Sequence, residues 1–477
     1  MWILYILLAL LTVFVVIIFT RAALFVPKKQ YQPEGTAVSF DGEAAVRNLQ
    51  KLVQCKTVSC SDPEQEDDSE FEKLICLLPE LYPQVWEACE FQRLPDRALL
   101  FRWPGKRSAS PSVMMAHYDV VPADESQWDK PPFAGIIEKD VLWGRGTLDT
   151  KVTFNGILCA AEALIRQGHI PENDIYFAFS GGEEVNGPGA RNIVEHFRSR
   201  GIRPALVLDE GGAVVENVFP GVKKPCGLIG IAEKGMMNVR YTVRSQGGHA
   251  SAPPAKTPLT TLAKACLDVQ RHPFKMRVTK PAGALFDTLG RHSGFGYKLI
   301  FANLWCFGWV LELISRKGGE MGALLRTTTA FTQAGGSNAR NVLPTQASLV
   351  SNMRLSPADT IDSAMAHLKK AVNNDAVEIE LLEGFEPSSV SETEGDAWDA
   401  VATTVAETWP GCIVSPYLMV QCADARHYGP ISSHVYRFCP MTMTPEERAS
   451  IHGNNERIRL ENIKKAVEFY IRLMTKC

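Results

Sequence analysis

The sequence predicts an α/β protein: a layered catalytic domain with a mixed sheet and an inserted α+β sandwich domain, preceded by an N-terminal membrane helix. Segments with helical periodicity alternate with apolar strand-like segments over most of the chain. Between residues 230 and 384 this pattern gives way to strands in which apolar and polar residues alternate, as in Met237 to Val243 and Ala347 to Arg354. The first 20 residues contain no charged side chain.

The chain has 477 residues, which is too many for one hydrophobic core. We predict five units in chain order, bounded by these changes of pattern. They are a transmembrane or signal-anchor helix (1–20), a linker (21–40), the first part of the catalytic domain (41–229), the inserted domain (230–384) and the second part of the catalytic domain (385–477).

Composition excludes several classes of protein. The formal net charge is -3 and the acidic and basic residues are mixed throughout, so no basic stripe is available for a nucleic acid partner. The 12 cysteines are scattered without a C-x-x-C pair. They therefore predict neither a zinc knuckle nor a disulfide framework.

Residues 1–20 predict a single-pass membrane anchor. About 20 apolar residues match the ~30 Å thickness of the hydrocarbon core, and no basic segment or clean cleavage site supports a removable signal peptide. Arg21, Lys28 and Lys29 follow the apolar segment. This positive charge, together with the absence of an N-x-[ST] sequon, favours a cytosolic location for the rest of the chain.

Side chains that bind metal ions follow successive predicted strands, where each strand ends. They are His117 with Asp119, Asp149, Glu183 with Glu184, and Asp209 with Glu210. In open α/β sheets, sites form outside the carboxyl ends of the strands, so we expect these groups to converge. Residues two apart on a strand share a face, which would let Asp119 accept the free ring N–H of His117. Adjacent glutamates at a strand end repel each other unless a cation or a proton lies between them.

Two histidines lie in glycine-containing loops. His249 follows Gly247 and Gly248, and His452 precedes Gly453, which leaves the backbone freer to turn the His452 ring inward. From the local sequence alone, each is an ordinary loop histidine.

The segment 299–311 is apolar but contains Asn303 and has fewer than 18 residues, so it is too short and too polar for a membrane span. We expect a buried helix here. The alternative is a hydrophobic wall for an acyl chain, or a patch that faces a membrane.

Six motifs occur in a fixed order and carry a family resemblance: A-H-Y-D-V-V-P, G-R-G-T-L-D-T-K, S-G-G-E-E-V, L-D-E-G-G, G-G-H-A-S-A-P-P and S-I-H-G-N-N-E. In this order they resemble the co-catalytic zinc amidohydrolases and peptidases that include aminoacylase and carboxypeptidase S. The stretch L-L-R-T-T-T-A at 324–330 and the D-A-R-H-Y turn point to the branch of carboxypeptidase S-like proteins and N-fatty-acyl-amino-acid synthase/hydrolases. The resemblance covers roughly residues 40–475.

The resemblance implies two Zn²⁺ ions per chain. Asp149 would bridge them, His117 and one acid of the D-E-G turn would complete one site, and Glu184 with His452 would complete the other. Imidazole nitrogen and carboxylate oxygen both suit zinc. Aminoacylase-like relatives favour Glu210 as the acid of that turn, and Asp209 stays an alternative.

The resemblance also implies roles for neighbouring residues and a lid or dimerisation role for the inserted domain. Glu183 would be the general base, and Asp119 would hold the His117 ring. His249 would reach the active site of the partner subunit in a homodimer and stabilise the tetrahedral oxyanion. We select Arg354 for the substrate carboxylate because a guanidinium group can bind it bidentately.

The expected reaction is hydrolysis of an amide bond next to a free carboxylate, which releases an amino acid from an N-acyl amino acid or a short peptide. The resemblance implies that the reverse condensation is also possible, and that the catalytic part is lumenal or extracellular. The motifs do not distinguish the two substrates, although the apolar segment 299–311 favours an acyl chain. A membrane-anchored binding protein that retains the fold without chemistry is the alternative, but no acid or histidine of the predicted metal set is missing.

Overall fold

The computed structural model describes residues 1–28, 30–31 and 35–477. Its strands, in chain order, are β1 (Glu90–Leu94), β2 (Ala98–Trp103), β3 (Arg107–His117), β4 (Ile136–Glu138), β5 (Val141–Trp143), β6 (Asn173–Ser180), β7 (Leu206–Val215), β8 (Cys226–Glu233), β9 (Gly235–Arg244), β10 (Gly248–His249), β11 (Thr328–Gly335), β12 (Val342–Leu343), β13 (Gln346–Leu355), β14 (Glu378–Phe385), β15 (Ile413–Met419), β16 (Val435–Met443) and β17 (Arg457–Arg459).

The helices, in chain order, are α1 (Trp2–Leu24), α2 (Gly42–Val53), α3 (Asp68–Leu81), α4 (Pro83–Ala88), α5 (Lys151–Arg166), α6 (Gly189–Ser199), α7 (Pro258–Arg271), α8 (Lys280–His292), α9 (Phe295–Phe301), α10 (Leu304–Ser315), α11 (Gly319–Leu325), α12 (Ile361–Val372), α13 (Asp396–Thr408), α14 (Pro445–Ser450) and α15 (Leu460–Met474).

An eight-stranded mixed sheet organises the catalytic part, in the order β1-β2-β6-β3-β7-β16-β8-β15. The central strands β6, β3, β7 and β16 are parallel to their neighbours in that group. Helices α2, α5, α13 and α15 cover one face with the largest apolar core, and α6 packs on the other face. The predicted layered α/β architecture with a mixed sheet is therefore confirmed.

A second, antiparallel sheet of four strands has the order β11-β13-β9-β14. Helices α7 and α12 pack on it, and together they enclose a separate apolar core that includes Tyr241, Leu262 and Leu368. The alternating patterns at 237–243 and 347–354 thus form half-buried strands, as expected. The domain boundaries and the dimerisation role of this part stay predictions.

Helices α8 to α11 lie between β9 and β13 in the sequence but pack elsewhere. Helix α8 packs against β15 at the edge of the large sheet, and α9 contacts α1. The expectation of a buried helix at 299–311 is wrong. Helices α9 and α10 meet at an angle of 104°, and the side chains of Trp305 and Trp309 are more than half exposed.

Two local features of the strands matter for the site. Strand β7 does not stop at Leu208 but continues through the acidic pair to Val215. Strand β5 does not join the large sheet and instead forms a small sheet with β4 and β17.

Helix α1 extends from Trp2 to Leu24 and is the one single helix in the described part of the chain that is long and apolar enough to cross a membrane. Its first three turns are exposed along their whole circumference, as the uniform apolar composition predicted. All 12 cysteines are free.

Candidate metal centre

Five side chains with metal-binding atoms gather at one edge of the large sheet. The Nε2 atom of His117 lies 3.0 Å from Oδ1 of Asp149 and 3.5 Å from Oε1 of Glu210. The Nε2 atom of His452 lies 3.0 Å from Oδ2 of Asp149 and 3.0 Å from Oε2 of Glu184. The structure therefore brings together all five residues that the resemblance implied as metal ligands.

The position of His117 follows from its place as the last residue of β3. Its ring is buried, and Nδ1 donates a hydrogen bond to the main-chain carbonyl of Asp119 at 3.0 Å, which leaves Nε2 facing the cluster. A hydrogen bond at one ring nitrogen fixes which nitrogen is free to bind a metal ion. The Asp119 carboxylate itself is 3.4 Å from Nδ1.

The Asp119 carboxylate also holds the two glutamates that follow β6. It accepts hydrogen bonds from the main-chain N–H groups of Glu183 and Glu184, each at 3.2 Å. These glutamates form a single turn of 3₁₀ helix. One buried carboxylate thus connects the imidazole at the end of β3 to the acidic turn at the end of β6.

Glu210 reaches the cluster because β7 has a bulge at this point. Along the pairing with β16, Asp209 is opposite Arg437 and the next paired residue is Gly212, so Glu210 and Gly211 are not paired. Gly211 has a φ of 140°, a conformation that residues with a side chain rarely adopt. The bulge lets the Glu210 side chain turn toward His117.

Asp209 faces away from the cluster. Its Oδ2 accepts a hydrogen bond from the N–H of Ala425 at 2.7 Å, and its Oδ1 accepts one from the N–H of Glu210 at 2.9 Å. With both oxygens used by the main chain, the geometry favours Glu210 over Asp209 as a metal ligand.

Asp149 is positioned by Glu456 rather than by the large sheet. The buried Glu456 carboxylate accepts hydrogen bonds from the N–H groups of Gly146, Leu148 and Asp149, and it pairs with Arg145 at 2.6 Å. This network fixes the turn between β5 and α5. It also ties that turn to the segment that carries His452.

The backbone at His452 differs from the sequence-based expectation. His452 itself has a φ of 58°, whereas Gly453, which we expected to supply the conformational freedom, does not have a positive φ. Positive φ is uncommon for residues with a side chain and persists only where the surroundings hold it. The Nε2 contacts to Asp149 and Glu184 are such a constraint.

The crowding of carboxylates shifts their protonation equilibria. Burial and the neighbouring Asp149 raise the pKa of Glu210 to about 8, and burial raises the pKa of Glu183 well above its usual value. Burial alone would lower the pKa of His117, but Glu210, Asp119 and Asp149 raise it. Clustered acids and imidazoles of this kind are stabilised by a proton or a cation between them.

The donor set fits divalent metal ions. His117, Asp149 and Glu184 each offer one ligand atom within 4.8 Å of the others, and His117, Glu183 and Glu210 do so as well. The buried Oε1 atom of Glu184 has no hydrogen-bond partner in the described part of the chain. A buried carboxylate oxygen without a partner is costly unless a ligand satisfies it.

Two further predicted residues lie outside this cluster. His249 is exposed on β10, which forms a short two-stranded antiparallel sheet with β12, and its Nδ1 accepts a hydrogen bond from the N–H of Ser251 at 3.1 Å. Arg354 is on β13, and its Nη1 lies 2.9 Å from Sγ of Cys422. The described contacts join neither residue directly to the five donors.

Comparison with known proteins gives the family. The model of peptidase family M20/M25/M40 matches residues 113–476, which is most of the chain. The chain belongs to this M20 family. It is therefore an enzyme of the metal-dependent carboxypeptidase and amidohydrolase class.

Curated M20 relatives align over most of their length. A probable carboxypeptidase S-like protein 2 of Dictyostelium discoideum is 34% identical over 444 residues, which cover 91% of this chain and 85% of that protein. An N-fatty-acyl-amino acid synthase/hydrolase of Xenopus tropicalis is 34% identical over 437 residues, with coverage of 90% and 85%.

Solved M20 structures share the fold at low sequence identity. A metallo-carboxypeptidase of Sulfolobus solfataricus has a TM-score of 0.67 at 16% identity and covers 90% of this chain and 98% of its own. A dinuclear metal-binding peptidase of Bacillus subtilis has a TM-score of 0.55 at 13% identity, with coverage of 91% and 98%.

Sequence reasoning missed two acids of this M20 site. It assigned no role to Glu456, although the residue is part of the S-I-H-G-N-N-E motif. It also named the D-A-R-H-Y turn without singling out Asp424, which is buried, accepts a hydrogen bond from the hydroxyl of Ser180 and lies close enough to Glu183 to raise its pKa. Asp424 lies five residues after the end of β15, and its place in the D-A-R-H-Y turn was the signal available in the sequence.

An apolar cavity of about 150 Å³ lies next to chain neighbours of the metal-binding residues. Its lining includes Gly211 and Ile451, the chain neighbours of Glu210 and His452, but none of the five donors themselves. The remaining walls are mainly apolar and come from β7, β8, α8, α11 and β15, including Val215, Val218, Leu228, Leu285, Leu289 and Leu324.

Proposed function

We propose that this M20 enzyme hydrolyses N-acyl amino acids whose acyl group is a long hydrocarbon chain, with two zinc ions as cofactors. The observation that carries the proposal is an apolar cavity whose lining includes Gly211 and Ile451, the chain neighbours of the metal-binding residues Glu210 and His452. A dipeptidase would have little use for an apolar cavity at this place. The N-fatty-acyl-amino acid synthase/hydrolases among the relatives support the same substrate class.

Five side chains would hold the cations. Asp149 offers one oxygen toward His117 and the other toward His452, so it is placed to bridge, with Glu210 completing one site and Glu184 the other. When bound, a pair of zinc ions lowers the pKa of a water molecule and neutralises charge on the attacking and leaving oxygens.

Glu183 would act as the general base. Its neighbour Glu184 contacts His452, whereas Glu183 lies on the His117 and Glu210 side of the cluster. The pKa of its carboxyl is raised by burial in the metal-free protein, and cations beside it would favour the ionised form. Glu183 would take a proton from the attacking water and then deliver it to the leaving amine nitrogen.

The substrate would lie across the cluster with its acyl chain in the cavity. Burial of methylene groups against Leu285, Leu289 and Leu324 contributes about 0.8 kcal/mol for each group removed from water. Arg354 would pair with the free carboxylate of the amino acid, because a guanidinium group binds carboxylates bidentately. Under this assignment, the cavity selects the acyl part and Arg354 selects the amino acid part.

His249 would act in a homodimer. It is exposed on β10 of the two-stranded sheet, and no described contact joins it to the five donors of its own chain. In a two-fold dimer, each subunit would supply this imidazole to the other active site, where it stabilises the oxyanion of the tetrahedral intermediate.

Helix α1 would anchor the protein in a membrane as a single span. Its 23 residues and uniform apolar surface match the thickness of a bilayer. By the resemblance to its family, the catalytic part would be lumenal or extracellular.

A substrate panel tests the proposal. Release of free amino acid is measured for long-chain N-acyl, N-acetyl and dipeptide substrates that share one C-terminal amino acid, with and without a chelator. We expect the highest kcat/KM for the long-chain substrate and loss of activity with chelator. Preference for the dipeptide would favour carboxypeptidase function, and no release from any substrate would favour a binding protein.

A variant of the cavity lining tests whether the acyl chain binds there. Leu324→Trp should raise KM for the long-chain substrate and leave KM for the N-acetyl substrate unchanged, because only the long chain enters the cavity. Leu259→Trp is the matched control. Leu259 is an exposed leucine on α7, the helix that packs on the second sheet, and it does not line the cavity. Equal effects of Leu324→Trp on both substrates would argue against the cavity as the acyl site.

A further inference from the structure

The side chains of Trp305, Trp309 and Leu313 form an apolar stripe on α10, which we call the α10 stripe. Successive members of the stripe are four residues apart, so all three lie on one face of the helix. Their exposed fractions are 61%, 65% and 58%, although such large apolar side chains are usually buried. A contiguous exposed stripe with two tryptophans marks a contact surface.

The α10 stripe is continuous with the surface of α1. The rings of Trp305 and Phe14 are 5.8 Å apart, centroid to centroid, in an edge-on arrangement. At the junction of α9 and α10, the Nδ2 atom of Asn303 donates a hydrogen bond to the main-chain carbonyl of Ile18 at 3.1 Å. The Arg21 guanidinium donates to the carbonyl of Ala302 at 2.9 Å.

These contacts fix the position of the α9–α10 junction along the axis of α1. Phe14 precedes Arg21, the first charged residue of the chain, by seven positions, which is about 10 Å at the rise of an α-helix. If Arg21 lies among the phospholipid headgroups, Phe14 lies among the acyl chains, and Trp305 beside it does as well.

Basic residues border the same surface. Lys298 is on α9, and Arg316 and Lys317 directly follow α10. Lys224 and Lys298 both lie close to His292. Burial, together with these two cations, lowers the pKa of the His292 imidazole. Cationic side chains around an apolar stripe suit the negatively charged headgroups of a membrane.

We propose that α9 and α10 enter the headgroup and outer acyl region of the same bilayer that α1 spans, with the α10 stripe in contact with lipid. This inference rests on the proposed anchor and goes beyond it, because a single-span tether would leave the catalytic part free to rotate. Three elements in one membrane hold it in a fixed orientation. Helix α8 contributes Leu285 and Leu289 both to the cavity wall and to the apolar core under α9, so the cavity and the membrane-contacting helices share one element.

Site-specific photocrosslinking of the full chain in vesicles that contain anionic phospholipid tests this contact. The photoreactive residue p-benzoylphenylalanine replaces Trp309 or Leu313, and lipids with an alkyne-tagged acyl chain report the adduct. Leu11 on α1 serves as the test of the anchor, with an exposed fraction of 57%, and Leu259 on α7 as the exposed control at 50%. Retained zinc-dependent release of amino acid shows that each variant is folded.

We expect lipid adducts at positions 309 and 313 at a yield similar to that at position 11, and only background at position 259. Adducts at 11 without adducts at 309 and 313 would overturn the inference and keep the anchor. Absence at all positions would overturn both. An adduct of position 309 with a second copy of the chain would show instead that the stripe is a protein interface, which also overturns the inference.

Discussion

The Nε2 atom of His452 lies 3.0 Å from Oδ2 of Asp149, while the other oxygen of this carboxylate lies 3.0 Å from His117. One carboxylate therefore faces two imidazoles that come from opposite ends of the catalytic part. This relationship defines two adjacent groups of donors with a shared member. It is the geometric basis for two cations rather than one.

Replacement of the proposed general base separates metal binding from turnover. Glu183→Gln should retain the metal ions and lower kcat by about 10²-fold to 10⁴-fold, the range for loss of a general acid or base. The amide has nearly the same shape but cannot accept the proton. Metal content and amino acid release are measured on the same preparation, and activity close to that of the wild type would contradict the role of Glu183.

Glu456 should contribute to stability as well as to the position of Asp149. Glu456→Ala leaves the buried guanidinium of Arg145 without its carboxylate, which typically costs about 3–5 kcal/mol. The free energy of unfolding in urea measures this loss. Glu72→Ala is the control, because its pair with Arg93 is exposed and should be worth no more than about 1 kcal/mol. Equal losses in the two variants would contradict this account of Glu456.

The sequence predicted the main elements that carry the site, because strands followed by acids or histidines leave a local pattern. Strand β3 ends at His117 and strand β6 ends three residues before Glu183, as expected for side chains that follow strands. It did not predict the role of Glu456, whose partners at 145–149 are far away in the chain, or the bulge that turns Glu210 toward His117. Both depend on contacts between distant segments, which one sequence does not encode locally.

The exposed α10 stripe is another feature that the sequence did not predict. Apolar composition at 299–311 predicted burial, because burial is the usual fate of such residues in water. The structure leaves Trp309 exposed and places α9 and α10 beside α1. Composition alone does not tell whether the surroundings of an apolar helix are protein or lipid.

Mixing of two inactive variants tests the homodimer. His249→Ala and Glu183→Gln should each have low activity alone, since loss of an oxyanion donor costs about 3 kcal/mol. After subunit exchange, a mixed two-fold dimer has one complete site, so an equal mixture should recover about one quarter of the wild-type rate. Recovery is measured as amino acid release against each variant alone. Failure to recover activity after confirmed exchange would contradict a shared site.

The stability of the metal-free protein should depend on pH because the ion pairs of His452 require a protonated imidazole. Hydrogen bonds to Asp149 and Glu184 raise the pKa of His452 to about 10, from a usual value of 6.5. A raised histidine pKa stabilises the folded state at pH below 6.5, and this stabilisation is lost as the pH rises toward 10. The Tm difference between metal-free wild type and His452→Ala should therefore shrink over this range. A difference that is constant or grows with pH would contradict the ion pairs.

Titration of the metal-free protein with zinc tests the central claim most directly, with amino acid release from a long-chain N-acyl amino acid as the readout. The account predicts that the rate is close to zero without metal and reaches its maximum at about two zinc ions per chain. Full activity of the metal-free protein, or a maximum at one ion per chain, would contradict it.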